Sequence, residues 1–221
     1  MQRTVVITGA NRGIGLELCR QLRGRGDHVI AACRKPSGAL DSLDCQVVVG
    51  VDVTTDEGIG ALVAGVGHRS LDWLINNAGV LTRETLDDLN LDAIRLQFEV
   101  NALGPLRVTA ALRGALKPGS KVGIVTSRMG SIADNTSGSR YGYRMSKVAV
   151  NMAGRSLAQD LRPDGVAVRL LHPGFVRTGM TGGVGNLEAS EAAAGLIARM
   201  DELTLESTGQ FLHQSGQELP W

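Results

Sequence analysis

The sequence has few aromatic residues and no excess of charge of either sign. Of its 221 residues, 3% are aromatic, and 23 basic side chains face 22 acidic ones, a formal net charge of +1. Nucleic-acid-binding domains commonly combine a basic excess with aromatic stacking platforms, so the sequence predicts no nucleic-acid partner. No apolar run approaches the roughly 20 residues that a membrane span needs, which predicts no membrane association.

Cysteine is also scarce. Cys19, Cys33 and Cys45 form no Cys-x-x-Cys motif, and the four histidines do not cluster with them. An odd number of thiols without metal-ligand spacing predicts reduced, mostly buried side chains and no metal site. The first strand-like run begins at Thr4, so we expect no signal peptide and a cytoplasmic location.

Short β-branched runs alternate with longer helical patterns along the chain. The strand-like runs are 4–8, 28–32, 46–51, 71–76, 121–126, 166–171 and 210–213. Helical patterns occupy 13–24, 56–66, 85–115, 141–162 and 188–200, and 129–140 and 174–186 are expected to be loops. Strand–helix–strand units join through right-handed crossovers into a parallel sheet with helices on both faces. We predict one α/β domain over 1–221, a doubly wound Rossmann-type fold with about seven strands.

A glycine-rich turn, TGANRGIG at 8–15, lies between the first strand and the first helix. Glycine permits a tight turn and close approach to a pyrophosphate, and a helix N-terminus attracts anions. The spacing GxxxGxG differs from GxGxxG, and no P-loop lysine follows. A purely structural turn is the alternative, but the position favours a dinucleotide.

The end of the second strand bears on the choice between NAD and NADP. A carboxylate about 20 positions after the glycine-rich turn usually binds the ribose 2′-hydroxyl, whereas this sequence has Arg34 there. A guanidinium, helped by Arg12, would bind a 2′-phosphate. We therefore predict NADP(H) in preference to NAD(H). The alternative is that Arg34 is a solvated surface arginine.

Tyr143 and Lys147 are four residues apart in a helical pattern, and so lie on one helix face. A free tyrosine titrates at about 10, and a nearby cation lowers that pKa. Such a pair can act as general acid or base at a carbonyl or carbinol oxygen. Tyr141 has no equivalent partner, because Met145 is four residues after it. An ordinary surface pair is the alternative.

Five features occur in the order of a known family: the glycine-rich turn, NNAG at 76–79, Asn101, Ser127 and Tyr143-x-x-x-Lys147. The combination resembles the classical short-chain dehydrogenases/reductases over essentially the whole chain. RMGSI at 128–132, NTSG at 135–138 and GQELPW at 216–221 are similar to the C-factor and sniffer-type carbonyl reductases.

The resemblance implies roles for the matching residues. In carbonyl reduction, Tyr143 would donate the proton, Lys147 would lower its pKa and bind the nicotinamide ribose, Ser127 would bind the substrate oxygen, and Asn101 would hold a water of a proton relay. The implied cofactor-binding residues are Gly9, Asn11, Arg12, Gly13, Ile14, Gly15, Arg34, Asp52, Val53, Asn77, Ala78, Gly79, Tyr143, Lys147, Pro173, Gly174, Val176 and Thr178.

Some of these residues also fit structural roles. Asp52 fits a helix N-terminal carboxylate, Ser127 fits a turn cap, and His172 is expected to be packed rather than to act as a base. Sixteen positions separate Ser127 from Tyr143, about three more than is common in the family. The alternatives to Ser127 are therefore Thr126, Ser131, Ser137 and Ser139.

The predicted function is NADP(H)-dependent hydride transfer to or from a small carbonyl or alcohol substrate, in the manner of a carbonyl reductase. The alternative is a dinucleotide-binding signalling or regulatory protein with weak catalysis. The resemblance also implies a homodimer or homotetramer through the helical patterns at 85–115 and 141–162. The segment after Phe175 is short, which implies an open substrate pocket or one completed by another chain.

Overall fold

Seven parallel strands form one sheet in the order β3-β2-β1-β4-β5-β6-β7, in a computed structural model that describes residues 2–221. The strands are β1 (Thr4–Thr8), β2 (His28–Ala32), β3 (Gln46–Val48), β4 (Leu71–Asn76), β5 (Leu116–Val125), β6 (Ala167–His172) and β7 (Phe211–His213). The order reverses between β1 and β4, where open α/β sheets bind their ligands. The predicted doubly wound fold is confirmed.

Seven α-helices connect the strands: α1 (Gly13–Gly24), α2 (Gly38–Asp41), α3 (Asp56–Val66), α4 (Leu91–Phe98), α5 (Gly104–Leu112), α6 (Tyr141–Asp160) and α7 (Ala189–Asp201). A π-helical turn, Glu99–Leu103, joins α4 to α5. Three-residue 3₁₀ turns cover Arg113–Ala115, Arg128–Gly130 and Gly179–Thr181. Within residues 2–221, every helix is too short or too polar to span a lipid bilayer.

The core has two layers, because successive strand residues point to opposite faces of the sheet. On one face, Val5 and Ile7 pack with residues of α1 and α7. On the other, Val6 and Leu74 pack with residues of α3, α5 and α6. All four side chains are fully or almost fully buried. This double coverage explains why the strands are continuous apolar runs rather than alternating ones.

Four strands differ from the prediction in their bounds, β6 and β7 by no more than one residue at an end and β3 and β5 by more. The third was expected over 46–51, but β3 ends at Val48 because Val49 is half-exposed and the chain turns at Gly50, whose φ is +76°. The fifth was expected to begin at 121, but β5 begins at Leu116, since Leu116 pairs with Leu71 ahead of a register shift.

The helical pattern at 85–115 is interrupted, and the prediction of one long helix was wrong. Residues 85–90 are not helical, and Asn90 caps α4 by accepting a hydrogen bond from the Ala93 N–H at 2.9 Å. Pro105 has no N–H to donate to the Asn101 carbonyl, four residues earlier, so the α-helical bond cannot form there. The chain widens into the π-helical turn at this point.

Candidate functional site

A cleft of about 580 Å³ lies at the carboxyl ends of β1, β2 and β4, where the strand order reverses. Its lining includes these predicted residues: Gly9, Asn11, Arg12, Gly13, Ile14, Gly15, Arg34, Asp52, Val53, Asn77, Ala78, Gly79 and Thr178. Residues that line it and that were not predicted to bind the cofactor are Cys33, Lys35, Val51, Val80, Val100, Gly179 and Met180. The segments that carry the predicted dinucleotide motif therefore meet in one place.

The glycine-rich turn that follows β1 has no room for side chains at its ends. Gly9 and Gly13 have φ of +66° and +53°, a region that favours glycine. A Cβ on Gly15 would lie 2.2 Å from the Gly9 carbonyl oxygen. The turn therefore packs directly against the start of α1, and Asn11, Arg12 and Ile14, which lie between its glycines, also line the cleft.

The ends of β1 and β4 are joined by Thr8, the first residue of the glycine-rich motif, to which the sequence analysis gave no role of its own. Its hydroxyl accepts hydrogen bonds from the N–H groups of Asn77 and Ala78, both at 3.1 Å. The Asn77 amide donates in return to the Thr8 carbonyl at 3.0 Å. These bonds fix the floor of the cleft against its glycine-rich wall.

Two cations and one carboxylate lie together at the far end of the cleft. The Arg34 side chain is 67% exposed, and its guanidinium is 3.9 Å from the Asp52 carboxylate. Lys35, next in sequence, also lines the cleft. Burial would raise the pKa of the Asp52 carboxyl, but two hydrogen bonds from Thr54 and the charge of Arg34 hold that pKa below its usual range. The end of the cleft can thus bind an anionic group.

Ser127, Tyr143 and Lys147 are buried close to one another, and none of them is among the residues that line the cleft. The Lys147 ammonium lies 5.7 Å from the centre of the Tyr143 ring and donates a hydrogen bond to the Val125 carbonyl at 2.9 Å. The Ser127 hydroxyl accepts a hydrogen bond from the Met129 N–H at 3.1 Å and is near enough to the phenol to affect the pKa of Tyr143. A hydroxyl, a phenol and an ammonium are therefore in one buried group.

The electrostatics of this group differ from the expectation in one respect. Burial raises the pKa of the Tyr143 phenol, and the Ser127 hydroxyl and the charge of Arg140 lower that pKa only in part. Burial also lowers the pKa of Lys147 to about 8. The sequence indicated Lys147 as the cation that acts on the phenol, and it missed Arg140.

The start of α6, which carries the tyrosine and the lysine, is capped by a buried acid. Glu84 accepts hydrogen bonds from the Gly142 N–H at 3.3 Å and from the Gln97 amide at 3.0 Å, and a third from Thr82. A carboxylate is favourable at a helix N-terminus. No motif pointed to Glu84, because it is distant in sequence from the helix that it caps.

Asn101 lies in the π-helical turn and connects the cleft to α6. Its amide oxygen accepts from the Val80 N–H, and its amide nitrogen donates to the Val80 carbonyl, each at 2.9 Å. The same nitrogen donates to the Ser146 hydroxyl at 3.0 Å. Both N–H groups of the amide are thus engaged with protein.

The residues predicted after β6 are less directly placed. Thr178 lines the cleft, but Pro173, Gly174 and Val176 do not. Val176 is 3% exposed and its backbone forms a bridge with Leu187, which folds 175–188 into a compact loop. The part of this loop that reaches the cleft is Thr178–Met180. The cofactor-binding assignment of these residues stays a prediction, as it does for the residues that line the cleft.

His172 is a packed histidine. Burial, with the neighbouring charges of His213, Arg128 and Lys147, lowers its pKa to about 3. It is therefore neutral, as expected of a structural residue. No three His, Cys, Asp or Glu side chains come together as ligands for a metal ion in the part of the chain described, 2–221.

Comparison with known proteins agrees with this architecture. The family model described as short chain dehydrogenase matches residues 3–188. A Rhodococcus sp. (strain AD45) protein named 1-hydroxy-2-glutathionyl-2-methyl-3-butene dehydrogenase is 46% identical over 99% of both chains. C-signal of Myxococcus xanthus is 47% identical over 73% of this chain and 99% of its own.

Solved structures are similar over the whole length. A carbonyl reductase from Pseudomonas aeruginosa PAO1, in complex with NADP, is 32% identical, with a TM-score of 0.89 and full coverage of both chains. The similarity to C-signal and to a carbonyl reductase confirms the predicted resemblance. The chain belongs to the short-chain dehydrogenase family and is an oxidoreductase.

Proposed function

We propose that this protein is an NADP(H)-dependent carbonyl reductase, which transfers hydride between the nicotinamide and a small carbonyl or alcohol substrate. The observation that carries the proposal is the buried group of Ser127, Tyr143 and Lys147, with α6 joined through Asn101 to the wall of a cleft of about 580 Å³. A phenol, a hydroxyl and an ammonium in one place suit acid–base chemistry at a single oxygen atom.

The residues of the cleft fit a dinucleotide with a 2′-phosphate. The glycine-rich turn gives access to backbone N–H groups at the start of α1, which suits the pyrophosphate. Arg34 is exposed in the cleft, with Lys35 beside it, and both can reach an additional phosphate. Asp52 is charged, and it remains a candidate acceptor for the adenine amino group. The NADP-bound structure of the Pseudomonas carbonyl reductase supports the same preference.

When bound, the reduced nicotinamide supplies the hydride. Tyr143 donates its phenolic proton to the substrate oxygen as negative charge develops there, and Ser127 donates a hydrogen bond to the same oxygen. Lys147, fixed by its bond to the Val125 carbonyl, places positive charge beside the phenolate that forms. Burial of all three groups strengthens these interactions.

The side chain of Asn101 does not take the role in this mechanism that the family resemblance implied, which was to hold a water of the proton relay. Its side-chain N–H groups are occupied by Val80 and Ser146, so they are not free to hold a water. Its backbone carbonyl has lost its α-helical partner at Pro105. We propose that this carbonyl holds the water from which Lys147 is reprotonated.

The direction of the reaction follows the cofactor ratio and the substrate. The Rhodococcus relative is named as a dehydrogenase of a hydroxy compound that carries a glutathionyl group, and the Pseudomonas structure is named as a carbonyl reductase. These are opposite directions of one chemistry. We propose reduction for this chain, and we include glutathionyl alcohols among the substrates to be tested with the oxidised cofactor.

The test is turnover of NADPH by the wild type, Tyr143→Phe and Tyr141→Phe with a panel of aldehydes, ketones and quinones. Tyr143→Phe should lose at least about 100-fold in kcat, the range of a general acid, with little change in NADPH affinity. Tyr141→Phe is a matched control, because Tyr141 lies outside the buried group and should turn over normally. Equal activity of Tyr143→Phe and wild type would exclude the proposed mechanism.

A signalling role is the second candidate, and the 47% identity to C-signal favours it. In that case the dinucleotide would be a bound regulatory ligand. The same panel discriminates the two candidates, because a regulatory protein would bind NADPH without consuming it with any carbonyl compound.

We also propose a homodimer or homotetramer. Leu96, Leu103 and Leu106, in and beside the π-helical turn, and Met145 and Met152 of α6 are large apolar side chains that are between 39% and 69% exposed. Burying them would be favourable. Sedimentation equilibrium should give a mass above 23.3 kDa, that of one chain.

A further inference from the structure

The helix α6, which carries Tyr143, has no cap of its own. The residue before it, Arg140, has a φ of +52°, in the left-handed region, and its side chain makes no capping hydrogen bond. By contrast, α2, α3 and α4 are each capped by the side chain of the preceding residue, namely Ser37, Thr55 and Asn90. The first turn of α6 therefore depends on partners from elsewhere in the chain.

Glu84, 58 positions before Gly142, supplies the missing cap. Its carboxylate accepts a hydrogen bond from the Gly142 N–H at 3.3 Å, and its backbone carbonyl accepts one from the Arg140 N–H at 2.9 Å. Both donors precede Tyr143 in the chain, and Gly142 does so immediately. One residue thus fixes the backbone that leads into α6 and the first turn of the helix itself.

A second buried side chain, Gln97 of α4, orients this carboxylate. The Gln97 amide oxygen accepts from the Thr82 N–H at 3.1 Å, and the Gln97 amide nitrogen donates to the Glu84 carboxylate at 3.0 Å. The Thr82 hydroxyl donates to the same carboxylate oxygen. Glu84 is 1% exposed, and Gln97 is fully buried. Because donors approach both oxygens of the carboxylate, this position requires two acceptors.

Helices α4 and α6 are in close contact at Gly142. A Cβ on this residue would lie 2.2 Å from the Gln97 amide nitrogen. One turn further along α6, the Ser146 hydroxyl accepts from the Asn101 amide at 3.0 Å and donates to the Tyr143 carbonyl at 2.8 Å. Tyr143 therefore lies between two points at which α6 is bonded to neighbouring segments.

The cost of this arrangement points to a role in catalysis as well as in folding. Within residues 2–221, no lysine, arginine or histidine forms an ion pair with Glu84. A buried carboxylate without a cation is costly, and an apolar pair of similar size would avoid that cost. The carboxylate lies one residue from the proton donor, where a displacement of about 1 Å can reduce the rate by about 100-fold.

We propose that Glu84 is a positioning residue for the proton donor. Its carboxylate, oriented by Gln97, fixes the first turn of α6 and so holds the Tyr143 phenol where it can deliver its proton to the substrate oxygen. This inference rests on the proposed function, since it concerns the same reaction. Glu84 acts through hydrogen bonds in this scheme and exchanges no proton with the substrate.

The test uses the pattern of donors and acceptors in the pair. Glu84→Gln either places its NH₂ group opposite that of Gln97 or leaves the Gly142 N–H without an acceptor. Adding Gln97→Glu provides a carboxylate at position 97 that accepts from the amide at position 84, whose oxygen is then free to accept from Gly142. The double variant therefore restores the hydrogen bonds that the single variant breaks.

Ser120→Ala is the matched control for loss of a buried, hydrogen-bonded side chain. Ser120 is 1% exposed and donates to the Leu71 carbonyl at 2.6 Å. It lies in the amino-terminal part of β5, whereas Ser127 and the cleft lie at the carboxyl ends of the strands. Its loss should affect stability without displacing α6.

Turnover is measured per mole of NADPH bound at saturation, so that unfolded protein is not counted. Glu84→Gln should lower kcat by about 10- to 100-fold, while the KM for NADPH changes by less than about 3-fold. Gln97→Glu alone brings two carboxylates together and should be at least as impaired. The double variant should return to within about 5-fold of the wild-type kcat, and Ser120→Ala should match the wild type.

Two results would overturn the inference while leaving the proposed function intact, because the wild type is active in both. One is a wild-type kcat in Glu84→Gln. The other is a double variant that stays as impaired as Glu84→Gln, in turnover or in NADPH binding, since restored hydrogen bonds would then have restored nothing.

Failure of the proposed function itself would look different, because the wild type would consume no NADPH with any carbonyl compound. The position of the phenol is then measured without turnover, by fluorine NMR. In a Tyr141→Phe background labelled with fluorotyrosine, the one fluorine reports on Tyr143, since the chain has 2 tyrosines. Its resonance should shift in Glu84→Gln, return in the double variant and stay in place in Ser120→Ala. A resonance that Glu84→Gln leaves unchanged, or that the double variant does not restore, rejects the inference.

Discussion

Lys147 should make the protein less stable at neutral pH than a variant without its charge. The side chain is 4% exposed, and burial lowers its pKa from 10.5 to about 8. At 1.36 kcal/mol per unit, burying the charged form costs the folded state about 3 kcal/mol. Below about pH 8 both states carry the proton and the full cost applies. Between about pH 8 and pH 10.5, the unfolded chain binds a proton that the folded chain releases, so stability rises with pH.

Lys147→Met removes this titration along with the proton relay. It also deletes the 2.9 Å hydrogen bond to the Val125 carbonyl, which gives a constant loss of about 1 kcal/mol. The free energy of unfolding of the variant minus that of the wild type should therefore fall by about 3 kcal/mol from pH 7.5 to pH 10.5. The loss of the hydrogen bond shifts this difference by the same amount at every pH and does not change the fall. The variant should have almost no reductase activity.

Urea unfolding at four pH values across this window measures the difference between variant and wild type, and other titrating groups cancel in it. Lys35→Met is the matched control for loss of a lysine, because Lys35 is exposed at the cleft. A difference between Lys147→Met and wild type that stays constant with pH would refute the claim that burial disfavours the ammonium.

Three further outcomes are expected. Arg34→Ala should raise the KM for NADPH by about 10-fold and leave the KM for NADH unchanged in steady-state assays, since a charge-assisted bond to phosphate is worth about 1.5–3 kcal/mol before screening by water. Thr8→Val should lower the free energy of urea unfolding by about 2 kcal/mol, because the N–H groups of Asn77 and Ala78 lose their acceptor; an unchanged midpoint would contradict this. Ser127→Ala should reduce kcat by about 100-fold with NADPH affinity intact, and a wild-type kcat would point to another hydroxyl.

The positions of most strands and the helical layers on both faces could be predicted from the sequence, because continuous apolar runs indicate burial on both faces of the sheet. The bounds of β1, β2, β4 and α3 agree with the runs that predicted them. The break of the predicted helix 85–115 into α4, the π-helical turn and α5 could not be predicted from the spacing of its apolar residues. Asn90 caps a helix there and Pro105 removes a donor, and both effects compete with an apolar pattern that continues through them.

In the candidate site, the sequence pointed to residues that belong to local motifs. The glycine-rich turn and the Tyr143–Lys147 pair each lie within a few positions of one another. Glu84 was missed, and Thr8 was given no role although it begins the glycine-rich motif, because the importance of both comes from contacts made in three dimensions. The sequence predicted a lowered pKa for Tyr143, because a cation lies four residues away. The pKa is raised because the phenol is buried, and the sequence alone does not give that burial.

The π-helical turn at Glu99–Leu103 contains one residue more than an α-helical turn would. The extra residue rotates the side chains of α5 about the helix axis relative to those of α4. The apolar faces of the two helices therefore point in different directions, although the sequence predicts one continuous helix. Asn101 stands where this rotation occurs, and this lets a single side chain reach Val80 on one side and Ser146 on the other. An inserted or deleted residue here would leave both helices intact and still separate the cofactor cleft from the helix that carries the tyrosine.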